Sequence, residues 1–306
     1  MPRVYINKEK FTRVWYKYRL DGFIFILPWM IGMIIFQLGP MISSFLLTFT
    51  RYDVITPAKF IGIENFKKIF ANDPLFYKSL WNTVYFVIGS VPISIAVGLL
   101  VAVLLNQKIR GVTIYRALYY LPSVTSGVAV AILWMFIYDK GYGIFNSLLA
   151  SVGIHGPGWL TDPIWVMPSL IIMAIWGLTG QRFVIFLAGL QGVPDELYEA
   201  AEIDGATPWH KFISITLPML TPTIFFTLIT GIISAFQSLF TTAYIITNGS
   251  GGPLNSAYVY VFHIYRNAFE YYHMGYACAL AWVLFIIVFV LTILQIRFSG
   301  WVHYGA

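Results

Sequence analysis

Charge is what this sequence has least of. Of its 306 residues only 19 are Lys or Arg and 13 are Asp or Glu, 10% in all, where an average soluble chain carries about 25%. So few charges cannot cover a water-facing surface, which excludes ordinary soluble enzymes, disordered proteins and nucleic-acid binders. The one cysteine, Cys278, excludes an internal disulfide framework and a cysteine-rich metal site. It falls in an apolar run, where packing is its role. No Gly-x-x-x-x-Gly-Lys-Ser/Thr loop occurs, so the chain cannot hydrolyse ATP by that route. His-Glu-x-x-His and Gly-x-Ser-x-Gly are also missing. His155, His210, His263, His273 and His303 have no metal-ligand spacing. Energy for any work must therefore come from outside the chain, from a partner or an ion gradient.

Apolar residues are abundant: 58% of the chain, with 18% aromatic and a mean hydropathy of +0.75. A membrane-crossing helix needs about 20 residues with few charges, and the charge-free gaps can be read directly. They are 22–50, 79–107, 117–138, 163–181 (continuing past Arg182 to Pro194), 212–265 and 271–296. The fifth gap holds one span, because Thr247-Asn248-Gly249-Ser250-Gly251-Gly252-Pro253 is a strong breaker. The segment beyond the breaker, Asn255 to Glu270, is too short to cross and reads as an aromatic-rich strip at the membrane interface. The first gap is too long for a cleavable signal peptide and lacks its cleavage site. Pro28 and Pro40 within it predict kinks that neighbouring helices absorb. The expected fold is an all-α polytopic membrane protein with six transmembrane helices. Its segments are a basic N-terminal stretch 1–21, a first helix 22–50, an external loop 51–78, a five-helix core 79–297 and a tail 298–306. Basic residues set its orientation. Twelve lie on one side: Arg3, Lys8, Lys10, Arg13, Lys17, Arg19, Lys108, Arg110, Arg116, Arg182, Lys211 and Arg297; seven lie on the other. Both termini are therefore expected to be cytoplasmic.

The loop between spans four and five, 191–216, is the most informative stretch. Five acids lie between Asp195 and Asp204. Pro194 suits a first helical turn, Asp195 and Glu196 favour its positive end, and Asp204-Gly205 ends it with a left-handed glycine. Thr207-Pro208 then starts a second helix with threonine as N-cap. The small surface at Ala200 and Ala201 allows close approach of another element, so a short acidic helix here makes a plug for a groove on a partner.

These residues resemble a family. Glu199-Ala200-Ala201, Gly205, Ile215 and Leu217-Pro218 match the EAA motif of the permease subunits of binding-protein-dependent ABC importers. Phe60-Ile61-Gly62-Ile63-Glu64-Asn65-Phe66, Asp73-Pro74 and Asn82-Thr83 resemble the sugar-permease branch. So do Thr247-Asn248-Gly249 and Gly251-Gly252-Pro253, with small insertions. Leu27-Pro28-Trp29 and Gly39-Pro40 are similar to the maltose and glycerol-phosphate type. The resemblance implies a type I importer permease fold, a second similar permease, two cytoplasmic ATPase subunits that bind ATP and Mg, and an external solute-binding protein that delivers a sugar. No cofactor is expected in this chain itself, and no nucleic acid. Glu199 would contact the ATPase, Ala200 and Ala201 would pack in its cleft, and Gly205, with Asp204 before it, would provide the turn.

Polar groups inside a span should face a cavity or a neighbour. Sugars need amides, hydroxyls and aromatic faces. Trp176, Gln181, Phe236, Gln237, Phe240 and Tyr244 supply these, although interhelical packing is an equally ordinary use for such residues. Arg182 either snorkels to the cytoplasmic interface, pairs with a carboxylate, or faces the pathway and favours an acidic sugar. An ion-coupled secondary transporter is the rival function, but no internal repeat is evident and no acid lies within a span. An intramembrane enzyme would need a reactive cluster inside the spans, and none is evident.

Overall fold

The computed structural model describes residues 23–107 and 110–302. The basic stretch expected over 1–21, Lys108 and the last four residues of the tail lie outside the described residues.

Helix α1 runs Phe23–Leu47. The kink expected at Pro40 is taken up by a π turn, Ile34–Leu38, directly before Gly39-Pro40. None of the most apolar window of α1 is buried (0%), and such a face is stable only against lipid or another apolar chain. A minimal hairpin comes next, β1 Thr50–Arg51 antiparallel to β2 Lys59–Phe60. Helix α2 spans Glu64–Asn72. Its buried Asn65 donates to the Thr48 carbonyl at 2.8 Å and the Thr50 carbonyl at 3.0 Å, which fixes α2 to the end of α1.

Helix α3, Pro74–Leu105, starts at an Asp73 N-cap whose carboxylate accepts from the N–H groups of Leu75 and Phe76. Helices α4, Val112–Val124, and α5, Gly127–Ile137, fill the third gap but are bent by 101° at Thr125-Ser126. The bend is made by extended backbone at Thr125 (ψ 141°) and Ser126 (ψ 133°), while Pro122 lies inside α4 just before it. Helix α6 is Ile144–Ser151, and α7 is Val166–Gln191. Helix α8, Asp195–Ile203, is short. Helices α9, Pro208–Met219, and α10, Thr221–Ile246, form a second bent pair at 62°. Helix α11, Tyr260–Tyr265, continues as a π turn to Glu270, and α12 is Met274–Arg297. Four helices (α1, α3, α7, α12) are long and apolar enough to cross a membrane, and each bent pair, if it counts as one span, raises the total to six.

Helix α3 packs along α7, with α4 and α10 against them. Val91, Phe183, Phe186 and Phe236 are buried at this centre. Close approach of α3 and α7 depends on Gly98, where a Cβ would stand 2.8 Å from Arg182 Cβ.

One expectation is corrected. The segment from Asn255 to Glu270 is not an aromatic strip lying at the interface. Tyr258, Tyr260 and Phe262 are fully buried. The reason is hydrogen bonding from α3. Asn82 donates to the Asn255 and Tyr258 carbonyls at 2.9 and 3.0 Å, and the Thr83 hydroxyl accepts from the Tyr260 N–H at 2.9 Å. With its backbone satisfied, the segment can turn its rings inward. Tyr260 also donates its hydroxyl to the Leu280 carbonyl of α12.

Helix α12 begins against β1. A Cβ on Gly275 would collide with the Thr50 carbonyl oxygen, and the Gly275 N–H donates to Tyr52 O. The obstacle is backbone and cannot rotate away. Gly275→Ala is expected to cost roughly 1–3 kcal/mol by overpacking, read as a lowered midpoint in a detergent thermal-unfolding assay; an unchanged midpoint would contradict this contact.

Candidate functional site

Three places carry unusual chemistry. The first is the exposed knob formed by α8. Its first turn holds Asp195 and Glu196. Pro194 sits one position earlier than expected, as the N-cap with an extended ψ of 131°. Gly205 has φ +74°, and the Ala206 N–H closes the helix end on the Ala201 carbonyl at 2.8 Å. Thr207 caps α9 by accepting from the His210 N–H. The knob is braced rather than loose. Lys211 Nζ meets Glu202 Oε1 at 2.6 Å, and the Tyr198 and Thr216 hydroxyls are 2.9 Å apart. That ion pair holds the Glu202 carboxyl below its usual range through the Lys211 hydrogen bond. Glu199, Ala200, Asp204 and Gly205 are exposed, and Ala201 is half-buried. Glu199, Ala200 and Ile203 share one helix face. Ile203 is 87% exposed, an apolar group with little apolar cover among the described residues. Sequence reading missed Ile203 and both braces, although spacing could have suggested the Glu202–Lys211 pair across the turn.

The second place is a cavity of about 360 Å³ beside the α4–α5 bend, α7 and α10. Ser123, Thr125, Gln181, Ser234 and Thr242 line it with amide and hydroxyl groups, and no charged side chain does so among the described residues. Of the residues picked from sequence, Gln181 is therefore at the cavity. Trp176 lines a neighbouring apolar groove, edge-on to Trp134 at 5.8 Å. Phe236 is buried in the core and Gln237 is exposed on α10. Phe240 and Tyr244 pack with Phe262 and Tyr265. Arg182 neither snorkels nor meets a carboxylate among the described residues. It is 5% exposed, and its Nη1 donates to the Val91 carbonyl at 2.8 Å and to the Ser94 hydroxyl. Ser123 and Thr125 escaped sequence reading because only the bend turns them toward α7.

The third place is a buried polar cluster between α3, α11 and α12. Asp73 Oδ2 accepts from His263 Nε2 at 2.9 Å and from the Tyr276 hydroxyl at 2.5 Å, while His263 Nδ1 lies 3.0 Å from the Tyr258 hydroxyl. A neutral imidazole fits, donating from Nε2 and accepting at Nδ1. Burial pushes His263 below its ordinary pKa against the pull of Asp73, with Lys68 and Arg266 adding to the depression. Burial opposes the Asp73 charge, but the Tyr276 hydrogen bond, His263 and the Phe76 N–H outweigh it and hold Asp73 below the usual carboxylate value. The signs differ in consequence. A depressed histidine loses stabilisation as pH falls below about 6.5, where the unfolded chain takes up the proton first. The depressed carboxylate loses its share only as pH falls below about 3.8. Thermal stability is thus expected to drop between pH 7 and 5, and His263→Gln should flatten most of that slope. His273, also depressed by partial burial and Lys68, accounts for a residue of it. An unchanged slope in the variant would contradict the neutral assignment.

The chain is similar to known proteins over most of its length. A family described as "Binding-protein-dependent transport system inner membrane component" matches residues 94–303. The chain is 44% identical over 291 residues to the probable ABC transporter permease protein YesP of Bacillus subtilis, covering 94% of this chain and 93% of that one. It is 38% identical over 283 residues to the lactose transport system permease protein LacF of Rhizobium radiobacter, covering 91% and 93%. Among solved structures, a bacterial ABC transporter involved in import of the acidic polysaccharide alginate superposes with a TM-score of 0.81 at 25% identity, over 94% of this chain and 98% of that one. Matches that run nearly end to end on both sides leave the ion-coupled alternative unsupported: the chain belongs to the family of binding-protein-dependent transport system inner membrane components and is a multi-pass permease subunit of an ATP-driven ABC importer.

Proposed function

We propose that this permease moves a carbohydrate inward by alternating access, and that α8 is the handle through which separate ATPase subunits drive it. The observation that carries the proposal is the rigid, exposed knob. Glu199, Ala200 and Ile203 present one unpartnered face, and the Glu202–Lys211 and Tyr198–Thr216 contacts tie it to α9. A push on such a knob reaches α7 and α10 as a rigid-body motion. In this reading Glu199 makes the polar contact to the ATPase, Ala200 and Ala201 pack in its cleft, and Asp204-Gly205 sets the turn.

The chain then crosses the membrane six times, with α4–α5 and α9–α10 each serving as one broken span. Both termini and the coupling loop 191–216 lie in the cytoplasm, while 51–78 and 247–270 lie outside. The bias of twelve basic residues against seven supports that orientation. The first helix 22–50 rests on the core 79–297 through its C-terminal end, where Trp282 Nε1 donates to the Ser44 hydroxyl at 3.2 Å and Phe45 packs on Trp282, and its open apolar face supports contact with lipid or a second, similar permease. ATP and Mg belong to the two ATPase subunits, because this chain offers no phosphate loop; it is non-catalytic. An external binding protein delivers the solute. A carbohydrate is favoured by the amide and hydroxyl lining of the cavity, and by relatives named for lactose and for trehalose and maltose transport. Gln181 is the first contact we assign; Trp176, Phe236, Gln237, Phe240 and Tyr244 do not line this cavity, and Arg182 acts from behind the lining.

Reconstitution tests this. In proteoliposomes holding the complete complex, uptake of a sugar bound by the cognate external protein should require ATP and that protein together. Uptake without ATP would refute the reading.

A further inference from the structure

Arg182 is a buried cation placed one backbone away from the cavity. Its side chain lies between α3, α7 and α10, with Nη1 committed to the Val91 carbonyl and the Ser94 hydroxyl. Nη2 faces Gly231, where a Cβ would stand only 2.7 Å away. Gly231 itself lines the cavity, next to Gln181 and Ser234. Only a residue without a side chain lets the guanidinium approach the wall so closely. Among the described residues the ion pairs are Arg51–Glu64, Lys211–Glu202, His263–Asp73 and Arg266–Glu270, so Arg182 has no countercharge. Its hydrogen-bond partners are neutral. Arginine does not shed its proton in proteins, and in a low-dielectric wall its field is weakly screened. Among the described residues no acid lines the cavity to cancel it.

We propose that Arg182 makes this cavity an anion-preferring passage, and that the carbohydrate it serves carries a carboxylate, as a uronate does. The proposal rests on the carbohydrate-import reading. Gly231 admits the charge to the wall, Gln181 and Ser234 supply neutral hydrogen bonds to the sugar hydroxyls, and the guanidinium selects the sign of the solute without leaving its own hydrogen bonds.

The test is made on the complete complex in lipid nanodiscs, carrying Ser234→Cys and Cys278→Ala. The cysteine is modified in parallel by a sulfonate-bearing thiosulfonate (anionic) and a trimethylammonium-bearing one (cationic). The ratio of the two rates, normalised to free cysteine, cancels the ionisation of the thiol itself. The expected result is a preference of about tenfold or more for the anionic reagent, the size of effect a unit charge exerts at about 10 Å with an effective dielectric near 20. It should be retained in Arg182→Lys and lost in Arg182→Gln. A ratio equal to that of free cysteine with Arg182 present would overturn the proposal, and this arm stands even if Arg182→Gln does not assemble. Uptake of digalacturonate and galactobiose supplies the second readout. A selective loss of digalacturonate uptake in Arg182→Gln supports the proposal, and an equal loss of both overturns it. A complex that moves neither sugar but keeps the reagent preference would count against carbohydrate import while leaving charge selection in place.

Discussion

Glu199→Lys is expected to separate the ATPase from this permease. Glu199 is exposed on α8 and makes no ion pair among the described residues, so folding should not depend on it. Reversing its charge at the centre of a docking face should cost at least about 2 kcal/mol, the level that marks an interface hot spot. That is roughly a 30-fold loss of affinity. ATPase co-purification and ATP-driven uptake should both collapse while the thermal midpoint of the permease stays unchanged. Gly205→Glu should do the same by another route. At φ +74° a side chain costs about 1–2 kcal/mol, so the turn between α8 and α9 would re-form differently and aim the knob elsewhere. Gly205→Asn is the control, because asparagine visits this backbone region readily, and it should retain most uptake. Retention of full coupling in Glu199→Lys would remove the knob from the mechanism.

Asp73→Ala is expected to destabilise the chain more than any other single change at the polar cluster. It deletes the α3 N-cap, worth about 1 kcal/mol. It also leaves the His263 Nε2 group and the Tyr276 hydroxyl buried without their acceptor, each at about 1–3 kcal/mol. A total of about 3–7 kcal/mol corresponds to a fall of roughly 10 °C in thermal midpoint for a protein of this size. Asp73→Asn should fall by less, since its side-chain oxygen can still cap Leu75 and Phe76. Equal midpoints for Asp73→Ala and the unchanged chain would mean that the cluster ties nothing together.

The contrast between these two sites shows what was legible in the sequence. The knob is local. Pro194, the acids, Gly205 and Thr207-Pro208 are neighbours, and backbone preferences alone fix a helix, a left-handed turn and a second cap. Only its start shifted, by one residue at Pro194. The four long apolar helices were legible because hydrocarbon tolerates few charges, so each falls largely in a gap between charges. The cluster was not legible, since Asp73 and His263 stand 190 positions apart and no periodicity links them. The burial of Tyr258, Tyr260 and Phe262 was missed for the same reason: Asn82 and Thr83, far away in the chain, supply the hydrogen bonds that hold their backbone. The break at Thr125-Ser126 had a weak signal in Pro122, but a proline inside an apolar run does not say whether a helix bends slightly or by 101°. For Arg182 the sequence left three fates open: escape to the interface, pairing with a carboxylate, or facing the pathway. What it did not show is the slot at Gly98 and Gly231, in which the Val91 carbonyl and the Ser94 hydroxyl hold the guanidinium.

Side-specific labelling of Glu199→Cys in a Cys278→Ala background tests the central claim most directly. A membrane-impermeant thiol reagent should modify the residue only from the cytoplasmic side of oriented vesicles, and assembly with the ATPase subunits should protect it. Modification from the external side, or equal modification with and without the ATPase, would contradict the account.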